Sequence, residues 1–244
     1  MLGRFHEISI ATDDIRASVE FYEKLGFSQA ATGDTWVHPY GVLTDGRVHL
    51  GLHQRRFPSP SLTFVRPEIA EHVRELEARG TELSMRRTAD DVFNEIGFLD
   101  PAGQMVTVIE ARTYSPVDRE EGSLCGYFTE FSIPSADFEA AQKFWEPLGF
   151  VGTEEPDAPY PHLPLTSDHL DIAFHKARTF DAPLLVFRDP GMKGRITRLR
   201  DLGITASAEG LPRGLSVHSN ALIQARQGTT LLRLGGALEG GLTA

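Results

Sequence analysis

The sequence predicts an α+β fold built from four βαβββ modules, arranged as two tandem domains. Three observations lead there. The stretch HEISIATDDIRASVEFYEKLGF (residues 6–27) returns as TEFSIPSADFEAAQKFWEPLGF (residues 129–150), with ten of 22 positions identical. The two copies then stay in step: YGVLTDGRVHLGLHQ (40–54) matches HLPLTSDHLDIAFHK (162–176), RPEI (66–69) matches DPGM (189–192), and AGQMVTV (102–108) matches QGTTLLR (227–233). A repeat of that length is a whole domain, not a solenoid unit. Between the copies, TYSPVDREEGSLCG (113–126) has Pro, Gly, Ser and charge but no periodicity, and reads as a linker. The expected division is therefore residues 1–113, a linker at 114–126, and a divergent second copy at 127–244.

Each element has a local reason. Ile8 and Ile10 alternate with Glu7, Ser9 and Ala11, so a short first strand presents two unlike faces. Thr12 or Asp13 can cap the helix that follows, because a side-chain oxygen accepts the free N–H groups of a first turn. Ile15, Val19 and Tyr22 then share one helical face. Gly26 suits the left-handed conformation that ends such a helix. Strands including VHLGLH come next. SLTFV, EIAEHVRELEARG and NEIGFLDPAGQMVTVIE then read as a strand, a helix and a hairpin.

Composition narrows the function. A net charge of −10 over 244 residues disfavours nucleic-acid binding, which needs a basic face. The basic MRR (Met85 to Arg87) reads as solvated surface. No apolar run reaches the roughly 18 residues of a membrane span. The opening MLGRFHE has no apolar core of a secretory signal. The single cysteine, Cys125, sits in the linker, forms no intrachain disulfide, and reads as an inert thiol. A cytoplasmic protein is expected, and a homodimer is compatible with all of this. The REE run (119–121) reads as solvated linker.

Ser18-x-x-Phe21-Tyr22, then Leu25-Gly26-Phe27, then Asp100-Pro101-x-Gly103 in the last hairpin resemble the vicinal oxygen chelate superfamily. That family includes glyoxalase I, extradiol dioxygenases, and fosfomycin and bleomycin resistance proteins. The resemblance covers residues 4–113, and 127–235 more weakly, since Asp-Pro is missing before Gly228. It implies two glyoxalase-like domains with curved sheets, each around a cavity. It also implies a divalent metal held by His and Glu on first and last strands, chelating two neighbouring substrate oxygens. The scaffold hosts many reactions, so it names none.

Mapped onto this chain, the family's four ligand positions fall at Glu7, Gly51, Ser61 and Thr107, and in the second copy at Glu130, Ala173, Leu184 and Leu232. Gly, Ala, Leu, Ser and Thr do not replace His and Glu as strong ligands. The usual set is therefore mostly absent, and small residues there are expected to enlarge the cavity. A divalent metal is not supported by these positions. If one binds, His6, Glu7 and His49 are its candidate ligands, His6 entering if the strand register slips by one. Glu110 lies an odd step from Thr107 and should face away.

Polar residues remain on the cavity face. Glu7 can meet His49 or His53, and Glu130 can meet His175. A carboxylate–imidazole pair can act as a general base or hold a ligand, which makes Glu7 and His53 the candidate catalytic pair. Trp36, His38, Tyr40, Ser61, Thr107, Glu130 and His175 are the candidate ligand-binding residues. Tyr160 and His162 are weighed as pocket wall or ordinary packing. The expected function is small-molecule binding in a sheet-lined cavity. The competing one is a metal-dependent lyase or dioxygenase with an atypical site in the first copy. A structural or interaction module is the third.

Overall fold

A computed structural model describes residues 1–32, 36–89, 94–111 and 122–236. The REE run lies outside the described residues. The first half contains β1 (Arg4–Ala11), α1 (Ile15–Lys24), β2 (Ser28–Ala30), β3 (Tyr40–Thr44), β4 (His49–His53), β5 (Ser61–Arg66), α2 (Ile69–Ala78), β6 (Leu83–Arg87), β7 (Glu95–Leu99) and β8 (Met105–Glu110). These are two βαβββ modules in sequence. Their strands form one sheet in the order β2-β3-β4-β1-β5-β8-β7-β6. The second half contains β9 (Tyr127–Pro134), α3 (Phe138–Trp145), a 3₁₀ turn (Glu146–Leu148), β10 (Val151–Gly152), β11 (His162–Thr166), β12 (Ile172–His175), β13 (Leu184–Asp189), α4 (Met192–Asp201), β14 (Ala221–Gln224) and β15 (Thr230–Gly235). Its order is β10-β11-β12-β9-β13-β15-β14. The fourth module is shortened: only an isolated bridge, Ser207 to Leu222, stands where its first post-helix strand is expected.

The cap of α1 falls one or two residues later than expected. Asp14 Oδ1 accepts the Ala17 N–H at 3.0 Å, while the Thr12 hydroxyl accepts the Asp14 N–H and bonds Ser18. Gly26 adopts φ 90°, where a side chain is strained, and a Cβ there would lie 3.1 Å from the Leu124 nitrogen. The close approach lets the Leu124 N–H donate to the Leu25 carbonyl at 2.8 Å. Glu110 faces the helix side as expected, where it accepts from the Ile69 N–H at the start of α2 and from Asn94.

Alternation gives each sheet two faces. Ile8, Ile10, Leu50, Leu52, Leu62, Phe64, Ile96, Phe98, Val106 and Val108 are buried on the face toward the helices. The equivalent residues of the second half join them in one continuous core, with Phe27 against Phe187 and Phe98 against Phe144. Cys125 is buried within this core, not displayed on a linker, and burial pushes its thiol up to about 11.

Two reciprocal contacts fasten the halves. From α3, Trp145 donates its indole N–H to Asp100 Oδ2 at 3.0 Å, in the β7–β8 turn of the first half. From α1, the Tyr22 hydroxyl accepts from Gln227 Nε2 at 2.9 Å, in the β14–β15 turn of the second. Asp100 Oδ1 meanwhile accepts the Ala102 and Gln104 N–H groups, which shapes its turn. Burial raises the Asp100 pKa, and the Trp145 bond is the foremost influence holding it down. Trp145→Phe should therefore cost about 1–3 kcal/mol in urea unfolding at pH 7. The loss should shrink as pH falls and Asp100 is protonated, because a neutral carboxyl needs its donors less.

Candidate functional site

The concave face of the first sheet is polar, for a reason visible in the register. Glu7 pairs with Thr63 and Ser9 with Ser61 across β1 and β5, and Thr63 pairs with Thr107 across β5 and β8. Ser9 also pairs with Gly51 on β4. The four positions implied by the family pattern, Glu7, Gly51, Ser61 and Thr107, thus lie on the four contiguous strands β4-β1-β5-β8. A bulge between Phe5 and Glu7 makes His6 the extra residue, so Glu7 holds the cavity-facing place.

Glu7 is fully buried and accepts three hydrogen bonds. Ser9 Oγ and His53 Nε2 donate to Oε1, each at 2.7 Å, and the Tyr40 hydroxyl donates to Oε2. Burial opposes its ionisation. The His53 bond, the nearby His6 and His53 rings and the Tyr40 bond outweigh burial and hold its pKa at about 2. The carboxylate lies where a Gly51 side chain would be: a Cβ there would sit 2.1 Å from Oε1. Gly51 therefore does not enlarge the cavity as expected, since Glu7 fills the space.

The donor directions follow from the ionised carboxylate, which only accepts. Ser9 spends its proton on Glu7, so its 2.7 Å contact with Thr63 must be donated by Thr63. The Thr63 oxygen is left as an acceptor toward the cavity. His53 directs Nε2 at Glu7, and its Nδ1 stands 2.9 Å from His38 Nε2. Burial lowers the pKa of His38, which favours its neutral ring.

The cavity above this network is narrow. Trp36, Phe57, Met85 and Met105 wall it with His53, Ser61, Thr63 and Thr107, leaving about 30 Å³, room for a water or two. Arg55 and Glu95 close one side, 3.9 Å apart. Trp36 packs edge-on against His53 and Tyr40 against its face. Met85 was expected on the surface with Arg86 and Arg87, yet it lines the cavity. Thr63, Phe57, Arg55, Glu95 and Met105 complete the site without having been singled out. Alternation along β5 to β8 could have found Thr63, Met105 and Glu95.

The remaining candidates are placed differently. His6 Nε2 lies 3.7 Å from Glu7, and burial lowers the pKa of both His6 and His49. Among the described residues, no three His, Cys, Asp or Glu side chains form a group that could hold a metal ion, so His6, Glu7 and His49 do not make a ligand triad. In the second half, Glu130 and His175 do not form the expected pair. His175 donates from Nε2 to the Phe180 carbonyl at 3.1 Å and accepts from Ser132 at Nδ1, 2.8 Å. Tyr160, Phe180, Leu184, Val186, Leu222, Leu232 and Leu234 fill the concave face there. Tyr160 is thus packing, and His162 bonds its carbonyl.

A curved sheet of paired βαβββ modules with a polar concave face is the glyoxalase-like fold of the vicinal oxygen chelate type. Residues 4–108 match the sequence model of the Glyoxalase/Bleomycin resistance protein/Dioxygenase superfamily. No curated protein matches the chain. Among solved structures, it resembles a catechol 2,3-dioxygenase at 16% identity and TM-score 0.55, covering 96% of this chain and 90% of that one. It also resembles the 2,3-dioxygenase LapB from Pseudomonas sp. KL28, at 16% and 0.59, covering 98% and 94%. An extradiol ring-cleaving dioxygenase from B. fuscum matches at 16% and 0.62, covering 96% and 72%. At such identity the likeness speaks for the fold. No helix among the described residues is long and apolar enough to cross a membrane.

Burial holds the His175 pKa down to about 4, against an ordinary value of 6.5. Its stabilising contribution is complete above pH 6.5 and is lost as pH falls through 4, because the unfolded chain binds the proton first. Denaturant unfolding should show a stability loss across that window. His175→Gln should remove about 3 kcal/mol of the loss.

Proposed function

We propose that the first half binds a small, flat aromatic molecule carrying a hydroxyl or amino donor, without a metal at the family's usual position. The observation that carries this reading is the directed chain Thr63–Ser9–Glu7. An ionised carboxylate orients two hydroxyls so that the outermost presents an acceptor to a cavity walled on its other side by Trp36, Phe57, Met85 and Met105. Such sites are concave and mostly apolar, with a few polar anchors. Ser61 and Thr107 flank that acceptor and serve as further polar contacts. Trp36 and Phe57 supply aromatic walls. Met85 and Met105 are unbranched and flexible, and their displacement opens the present narrow space. In this reading residues 1–113 and 127–244 are separate domains, and the second is a filled structural partner.

Gly51 has no side chain, Ser61 and Thr107 are neutral hydroxyls, and Glu7 already accepts from Ser9, His53 and Tyr40. Such a set does not fit a divalent ion well. The competing reading, a metal-dependent lyase or dioxygenase, requires Glu7 to leave that network and turn to His6 or His49. Protein purified without chelators should contain substoichiometric divalent metal, whereas stoichiometric metal lost on Glu7→Ala would establish the competing reading.

Calorimetric titration with simple phenols and their methyl ethers tests the main proposal. The phenols should bind and the ethers should bind more weakly. Thr63→Val should cost the phenols about tenfold, near 1.4 kcal/mol, while leaving the ethers unaffected. If no phenol or aromatic amine binds, the proposal fails.

A further inference from the structure

At the Oε1 end of the Glu7 carboxylate, two imidazoles face each other. His53 Nε2 lies 2.7 Å from Oε1, and His53 Nδ1 lies 2.9 Å from His38 Nε2. His6 approaches the other carboxylate oxygen, Oε2, at 3.7 Å.

The pair has the makings of two metal ligands. Ionised Glu7 only accepts, so the proton between it and His53 sits on Nε2, and a neutral ring so protonated carries its lone pair on Nδ1. A metal-bound imidazole is held in the same way: its second nitrogen donates to a carboxylate, which fixes the tautomer and raises the ligand's basicity. Ser9 and Tyr40 fix Glu7 in turn. Trp36, Tyr40 and Phe57 pack around the His53 ring, at centroid distances of 5.1, 4.7 and 5.6 Å. His38 is half-buried and precedes β3, so its ring is the one that can adjust. Two imidazole nitrogens on one tetrahedral ion stand about 3.3 Å apart, given metal–nitrogen bonds of about 2.0–2.1 Å. The 2.9 Å between these nitrogens falls a few tenths of an ångström short of that. Arg55, a cation whose charge reaches His38, is drawn toward Glu95 at 3.9 Å.

We propose that His38 Nε2 and His53 Nδ1 form a transition-metal site, with Glu7 as the positioning residue behind His53. The ion takes the place of the proton between the two rings, and His38 carries its own proton on Nδ1. This site is separate from the family's usual position, where Gly51, Ser61 and Thr107 offer no strong donor, and it does not rest on the phenol reading. Imidazole nitrogen suits Cu(II) and Zn(II), and Cu(II) binds the tighter of the two. No three His, Cys, Asp or Glu side chains group around an ion among the described residues, so water fills the other positions and the ion exchanges.

Titration of the full chain with Cu(II) in a non-coordinating buffer tests this, followed by calorimetry and electron paramagnetic resonance. One ion should bind per chain, with a spectrum split by two imidazole nitrogens. His38→Gln should weaken binding by about tenfold or more, since losing a ligand costs no less than losing its outer partner. It should also remove one nitrogen from the spectrum, and an unchanged thermal transition shows that the fold persists. His53→Gln should act in the same way from the buried side. Glu7→Gln should weaken binding about 10–100-fold while both nitrogens stay in the spectrum. His6→Gln and His49→Gln should leave the ion in place. Absence of binding, or two nitrogens retained in His38→Gln, would overturn the proposal. Loss of the ion in His6→Gln or His49→Gln would overturn it as well and assign the metal to the competing site. Each of these results leaves the phenol reading to its own titration.

Discussion

The reciprocal insertion of one helix aromatic into the other half's hairpin turn sets the geometry of the whole chain. Trp145 reaches Asp100, and Tyr22 is reached by Gln227. Both contacts join a large apolar body to a buried polar tip, so each contributes packing and direction together. Because the two are related by the internal repeat, the halves dock in one relative orientation. That docking carries Arg226, next in sequence to Gln227, to the mouth opposite Arg55 and Arg56. The cleft between the halves at that point is thus a consequence of how the repeat closes on itself.

Within the first half, one charge organises the concave face. A fully buried carboxylate is costly unless hydrogen bonds satisfy it. Glu7 meets that requirement through Ser9, Tyr40 and His53 on three neighbouring strands, and it needs Gly51 beneath it. The satisfied anion fixes proton positions outward, through Ser9 to Thr63. The second half shows what happens when the surrounding partners change. Opposite Glu130 stands Val186 where Thr63 stands opposite Glu7, and Leu232 takes the place of Thr107. With apolar neighbours on both strands, the face packs against Tyr160 and Phe180.

Most of the fold was legible because repetition and alternation are properties of the chain itself. The LGF ending, the Ser-x-x-Phe-Tyr helix and the Asp-Pro-x-Gly turn locate the modules, and the period-two pattern of β1 correctly placed Glu7 on the cavity side. The same alternation on β4 left His49 and His53 both open as partners of Glu7, and the contact with His53 emerges only in the folded chain. The size of the cavity did not follow. It depends on where the Glu7 carboxylate comes to rest and on Phe57 and Arg55, which lie beyond β4 and carry no periodic signal. The shortened fourth module was also hidden. Between α4 and β14 the chain is rich in Gly, Pro and Ser, and an isolated bridge at Ser207 replaces a strand.

The unequal fate of the two concave faces bears on why both halves are retained. A sheet that keeps a polar, partly hollow face gives up apolar burial there, and burial is the main favourable term in folding. The first half accepts that loss along Ser9, Ser61, Thr63 and Thr107. The second half fills the equivalent face with Leu184, Val186, Leu232 and Leu234, and its helix-side core is continuous with that of the first. Filling the second copy's face adds an apolar cluster of its own beside the shared core, while Glu7 and its hydroxyl partners keep the first copy's face polar. The divergence of the repeat is therefore a division of labour between stability and site, with the clasp at Trp145 and Tyr22 as the means by which the first half draws on the second.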